Sequence, residues 1–323
     1  MSSFDELDIS GVKGISISGR ESKVRQEQSG KPAGPEGTVE EFLDGLPKVL
    51  GASDLMELAT RIADSRANGR PVLWMIGGHV IKCGVTPYLV DLMKRGLITA
   101  VAMNGAAAIH DFEMTVWGHT SEDVERALSR GEFGMTEETA RLMNGAISGG
   151  ASKGWGIGES LGRLLGERKE AGDVESEGVV STAWELRLPI TVHVALGTDV
   201  IHQHPEVDPE AIGKGTYIDF KVLAAYVSGL GGGVVINAGS AVIMPEVFIK
   251  AFSIARNLGH DVGELTAANM DFIQHYRPTV NVLRRPVSPD GKSYALTGHH
   301  EIMIPLLAGA VRLAARRSGW EKA

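Results

Sequence analysis

The run Val234-Val235-Ile236 is followed at once by Asn237-Ala238-Gly239-Ser240, and an apolar helical pattern begins near Pro245. A short, unbroken apolar run suits a strand buried on both faces. Small residues after it let a ligand approach backbone N–H groups at a helix start, where proline's missing donor costs little. One such unit is an ordinary strand-to-helix turn; the constraint comes from its recurrence. Strand patterns at 71–78, 98–105, 189–196, 232–239, 261–269 and 293–298 alternate with helical patterns at 86–96, 218–230, 245–259 and 301–317. That alternation specifies an α/β protein with a doubly wound parallel sheet of about six strands and helices on both faces.

Helical patterns at 39–50 and 53–69 precede the first strand, the second with Ser53 as its expected N-cap. Residues 1–38, rich in Gly, Ser and Pro, read as an irregular arm. The remainder, 39–323, reads as a single domain with a helical insertion at about 106–188. Patterns at 121–131 and 135–146 lie inside that insertion.

Composition narrows the function. A net charge of −8 and the lack of a basic run argue against nucleic acid as a partner. Cys83 is the single cysteine, which excludes intrachain disulfides and thiolate zinc clusters and points to a reducing, cytoplasmic setting. The opening MSSFDELDIS carries acids where a secretion signal needs cations. No apolar run approaches the ~18 residues of a membrane span. A small molecule is the expected partner.

Ligands of open parallel sheets bind outside the carboxyl ends of the strands. Those ends carry Gly77-Gly78-His79, Asn104-Gly105 leading to His110-Asp111, and Thr198-Asp199 followed by His202 and His204. Further along come Asn237 to Ser240, Asp271 with His275, and Thr297-Gly298-His299-His300-Glu301. Seven of the ten histidines (79, 110, 202, 204, 275, 299 and 300) therefore follow a strand. Imidazoles there can serve as acids and bases, or as ligands to a divalent transition metal. For a metal, the candidate ligands are His202, His204 and His299 or His300. For acid/base work, His110 with Asp111 forms a pair, His204 and His299 face the substrate, and His300 is a further catalytic candidate. The glycine-rich 154–162 follows a helical pattern and reads as a turn into a helix, and no phosphate-loop or nucleophile-elbow signature is present.

From about residue 70 to 315 the chain resembles the deoxyhypusine synthase family. The resemblance rests on IGGHVIKCG, on 95-RGLITAVAMNGAAAIHD-111, and on Ala195 to Asp199, which is similar to an Ala-Leu-Thr-Asp motif with one residue inserted. Thr266-Ala267 with Asp271, Arg277-Pro278 and Ile304-Pro305-Leu306-Leu307 complete it. It implies a Rossmann-like NAD-binding domain, a homotetramer, and NAD-dependent transferase or oxidoreductase chemistry. It also implies NAD contacts at Gly77, Gly78, Asp199, Thr266, Ala267 and Asp271, beside the Asn237, Gly239 and Ser240 turn.

The departures are specific. The family's catalytic lysine falls at Pro286, its paired acids become Ile109-His110 with Asp111 kept, and a polyamine-binding acid becomes His204. With Arg277, Arg284 and Arg285 near in sequence, charge argues against a di- or tricationic substrate. The leading expectation is an NAD-binding enzyme acting on a small molecule without forming hypusine. The alternatives are a histidine-ligated metalloenzyme and an inactive oligomeric regulator on the same scaffold.

Overall fold

The computed structural model describes residues 3–287 and 289–320; Met1 and Ser2 of the expected arm lie outside the described residues. The chain divides into two compact units, Met1–Leu50 and Gly51–Ala323. In the first, two 3-10 turns, Ile17–Gly19 and Gln26–Gln28, precede a helix at Val39–Asp44. Thr38 caps that helix: its Oγ accepts from Glu41 N at 3.1 Å, and Glu41 Oε2 accepts from Thr38 N at 2.8 Å. The helix was expected to reach residue 50. It stops at Gly45 because Pro47 disfavours helical backbone at the residue before it.

The second unit carries six strands: β1 Val72–Ile76, β2 Ala100–Asn104, β3 Ile190–His193, β4 Val234–Ala238, β5 Thr266–Asp271 and β6 Lys292–Thr297. Its main helices are α1 Leu50–Ala67, α2 Gly78–Lys82, α3 Thr86–Lys94, α4 Gly105–Trp117, α5 Glu137–Ser152 and α6 Ile157–Glu170. They continue with α7 Val179–Glu185, α8 Pro209–Ser228, α9 Ile243–Asn257 and α10 His300–Arg317. Helix α1 begins at Leu50, so Ser53 lies in its first turn and is not its cap. The insertion holds more helix than its patterns predict, with α4 and α7 in addition. Asn104 starts α4 by accepting from Ala107 N at 2.9 Å, a cap the sequence displays openly.

All strands are parallel, in the order β3-β2-β1-β4-β5-β6. This is the doubly wound, Rossmann-like arrangement. The direction of winding reverses between β1 and β4, and right-handed crossovers put α3 and α9 on opposite faces. On the α9 face, Leu73, Met75, Val235 and Ala267 pack against Leu223 of α8 and Phe248 and Phe252 of α9. Trp74 and Ile76 are buried on the other face.

Two buried aspartates fasten helices to this core. Asp111, on α4, accepts from Val179 N and Val180 N at 2.7 and 2.8 Å and so anchors the start of α7. Asp219, on α8, accepts from Gly158 N at 2.9 Å and Val192 N at 2.8 Å, tying α6 to β3. A carboxylate at a helix N-terminus meets the helix's free donors and its positive dipole end.

Candidate active site

Strand order decides which carboxyl ends can cooperate. β3 and β6 are five strands apart, about 24 Å at the usual ~4.8 Å spacing. His202 and His204 follow β3, whereas His299 and His300 follow β6, so the metal set of His202, His204 and His299 cannot close on one ion. Both β3-side rings also bond backbone, with His202 Nε2 left unpartnered 3.9 Å from Asp199 Oδ2. His202 Nδ1 accepts from Gly197 N at 3.1 Å and Asp199 N at 3.3 Å, and His204 Nε2 donates to Gly134 O at 2.9 Å. Among the described residues, no group of three His, Cys, Asp or Glu side chains is placed to hold a metal ion.

The histidines instead fall into two groups. The first surrounds a cavity of about 600 Å³ outside β2 and β3. Its walls include Lys82, His110, Glu113, Glu122, Glu138, Asp199 and His204. Helix α4 supplies the reactive wall, with His110 and Glu113 three residues apart on one face. His110 Nδ1 lies 2.8 Å from Thr120 Oγ, and Thr120 Oγ donates to Glu113 Oε2. Thr139 Oγ donates to the other Glu113 oxygen at 2.9 Å.

A hydroxyl has one proton. Thr120 gives it to the carboxylate and must accept from His110, which fixes the imidazole proton on Nδ1 and leaves the Nε2 lone pair free. Burial, and then the nearby Lys82 charge, push the His110 pKa down to about 4. The ring is therefore a neutral base throughout the physiological range. We expect ring-carbon NMR shifts of His110 to titrate near 4, and Lys82→Met to move that value upward. A midpoint at the ordinary imidazole value, unmoved by the lysine change, would contradict the arrangement.

Asp199 closes the cavity's inner end. Its carboxylate rests on Gly105, where a Cβ would fall 1.9 Å from Oδ2, so glycine is required at that first position of α4. Burial raises its pKa to about 6, and Oδ2 has no hydrogen-bond partner. Asp111 does not join the cavity. Its carboxylate is spent on the α7 backbone, so His110 and Asp111 do not form the expected acid/base pair, and Glu113 orients the ring in its place.

The second group lies at the winding reversal. A Cβ on Gly77 would fall 1.9 Å from Gly239 O, so the turns after β1 and β4 meet backbone to backbone. Gly239 has φ +64°, and a Cβ there would come within 2.9 Å of His300 Nε2. His300 is fully buried, neither ring nitrogen has a hydrogen-bond partner, and Nε2 is 4.0 Å from Asp271 Oδ1. Asn237 Nδ2 donates to Asn269 Oδ1 at 2.7 Å and to Ser240 O at 3.0 Å, while its own Oδ1 is unpartnered. His79 stands beside His300, ring centres 5.6 Å apart, and exposed His299 stacks on Phe272.

Thr266 and Ala267 are displaced from this edge. Strand β5 starts at Thr266, five residues before the expected C-terminal end's Asp271, which sets Thr266 about 16 Å away at the amino end. The expected strand at 261–269 was placed too early because buried Asn269 and Asp271 look like loop residues.

No protein-family model matches the sequence, and no curated protein matches it. Solved structures do share the fold. A conserved protein assigned as LOR/SDH, from Methanococcus maripaludis S2, aligns with TM-score 0.52 at 15% identity over 82% of this chain and 71% of its own. AgrE, in a ternary complex with ornithine and NAD+, aligns with TM-score 0.52 at 16% identity over 83% of this chain. The chain spans only 34% of AgrE. A protein assigned as a deoxyhypusine synthase from Entamoeba histolytica aligns with TM-score 0.51 at 11% identity, covering 85% of this chain and 93% of that one. At these identities the likeness is one of fold. No helix among the described residues is long and apolar enough to cross a membrane.

Proposed function

We propose that the protein is an enzyme of deoxyhypusine synthase-like fold that binds NAD at the winding reversal and acts on a small amine in the adjoining cavity. The observation that carries this reading is His110, a neutral base with its proton fixed by Thr120 and Glu113, opening into that cavity. NAD suits the second group of residues: Gly77 and Gly239 bring the turns after β1 and β4 together at the winding reversal, and beside them His300 and Asn237 offer unpartnered polar atoms, with Asp271 near. Gly78 and Ser240 flank them. When bound, NAD supplies a hydride acceptor. His110 Nε2 takes the proton that the substrate gives up, and Asp199 holds the substrate's cationic end.

Charge supports an amine, against the expectation drawn from the arginines. Glu113, Glu122, Glu138 and Asp199 line the cavity against one lysine, Lys82. Arg277 pairs with Glu246 at 3.3 Å, and Arg285 donates to Asn281 at 2.9 Å, so both are engaged elsewhere. Hypusine formation is not part of the reading, because by the resemblance to the deoxyhypusine synthases the imine-forming lysine falls at Pro286, which is buried. Self-association, with a tetramer favoured, draws support from Phe272, Ile273, Tyr276 and Ile302, all exposed.

Calorimetry with NAD+, followed by NADH fluorescence across a panel of amines and amino acids, tests the proposal. We expect saturable NAD+ binding and amine-dependent NADH; no binding at about 1 mM NAD+ would sink it. Incubation with NAD+ and labelled spermidine, then borohydride, should leave the chain unlabelled. Label on a lysine would restore hypusine chemistry.

A further inference from the structure

The cavity's outer wall is a segment unlike the rest of the unit. Between Gly118 and Thr136 one residue, Gly134, is buried, and the short helix Val124–Ser129 buries none. Left-handed backbone occurs at Gly118 (φ +72°), Ser121 (φ +71°), Gly131 (φ +69°) and Gly134 (φ +75°). Such turns at both ends, with little burial between them, are what a hinged segment needs.

Two contacts fasten the segment across the cavity. At one end Thr120 bridges His110 and Glu113. At the other, Gly134 O accepts from His204 Nε2 at 2.9 Å, and Gly134 packs so closely on Val200 that a Cβ would fall 2.8 Å from it. Glu122 Oε1 accepts from Gly134 N at 2.8 Å, joining the two ends within the segment. Thr120 is thus the residue that sets the His110 tautomer, yet it rides on the loosely packed wall and not on α4.

We propose that residues 118–136 form a lid whose closure arms the base, with Thr120 as a positioning residue and His204 as the latch. Closed, the lid brings the Thr120 hydroxyl between His110 and Glu113, so the ring proton stays on Nδ1 and Nε2 points a lone pair at the cavity. Open, it withdraws that hydroxyl, and a neutral imidazole in water is free to hold its proton on Nε2, where it cannot accept another. Entry of a substrate and activation of the base then become one movement. This also gives His204 a role that its backbone-bound Nε2 denied it as a catalyst. The inference rests on His110 being the base, but its test needs neither NAD nor a substrate.

The test is long-range nitrogen–proton NMR of the imidazoles at neutral pH, with hydrogen exchange of the amides of 121–135. In the intact protein and in Thr120→Ser, His110 should be the Nδ1–H tautomer; in Thr120→Val it should shift toward Nε2–H. Removing the latch in His204→Leu should speed exchange across the lid by about tenfold, the worth of one buried hydrogen bond, and shift the His110 tautomer as well. His204→Gln, which keeps a donor, should do neither. An unchanged tautomer in Thr120→Val would overturn the positioning role, and faster exchange without a tautomer change in His204→Leu would overturn the coupling. Absent NAD binding would leave both results standing, so the two readings fail separately.

Discussion

Replacing Asp219 with alanine is expected to lower the stability of the α/β unit by about 2–6 kcal/mol, since two buried N–H groups lose their acceptor at roughly 1–3 kcal/mol each. Those donors, Gly158 N and Val192 N, begin α6 and run through β3, so the loss falls where the insertion joins the sheet. The carboxylate is tightly enclosed there: a Cβ on Gly156 would sit 1.8 Å from Asp219 Oδ1. Against a typical total of about 5–15 kcal/mol, this is enough to cripple folding. Urea unfolding followed by far-ultraviolet dichroism measures it. A loss under about 0.5 kcal/mol, the usual range for surface changes, would show that Asp219 is not the fastening described.

The same residue gives stability a pH dependence. Burial, opposed by its backbone hydrogen bonds, raises the Asp219 pKa to about 7 from 3.8. A raised folded-state value means its contribution is whole below the unfolded pKa and is lost as pH rises through the folded one. The stability difference between the intact protein and Asp219→Asn should therefore shrink from about pH 4 to about pH 7. His193, depressed by burial to about 3, acts oppositely. Its contribution is present above the ordinary imidazole pKa and lost as pH falls.

Asp219 also marks what the sequence could not disclose. Within 218–230 it reads as a solvated position on an amphipathic helix, and only the packing of α8 on α6 and β3 buries it. Strands were legible where apolar runs are continuous, as at Val234-Val235-Ile236. They were misplaced at β5, where Asn269 and Asp271 are buried for their polarity. The histidine-bearing edge was legible because a parallel sheet sends all its carboxyl ends one way. The strand order was not, and that order divides the histidines and removes the metal site. His110 and Glu113 were recoverable in principle as an i, i+3 pair on a helix. Thr120 was not, since no periodicity relates a lid residue to the helix it closes upon.

His110→Gln should cost about 10²–10⁴ in kcat/KM for the NAD-linked reaction, the usual worth of a positioned base, while leaving NAD+ binding intact. The expectation rests on placement: His110 lies on α4 outside β2, and although Gly78 reaches its ring, the other residues proposed to hold NAD lie at the ends of β1, β4 and β5. Glutamine keeps a polar group toward Thr120 but offers no basic nitrogen. The pH profile distinguishes this role from a structural one. An ordinary imidazole base would lose activity below its pKa near 6.5. Burial and Lys82 hold His110 near 4, so activity should stay level down to about pH 5 before acid inactivation. In Lys82→Met the fall should begin at higher pH, because the charge that disfavours protonation is gone. A wild-type profile breaking near 6.5, or a His110→Gln enzyme within about threefold of the parent, would remove His110 from the chemistry. The cavity would then have to find its base among carboxylates, and Asp199, raised to about 6 and unpartnered at Oδ2, is the one whose ionisation such a break would report.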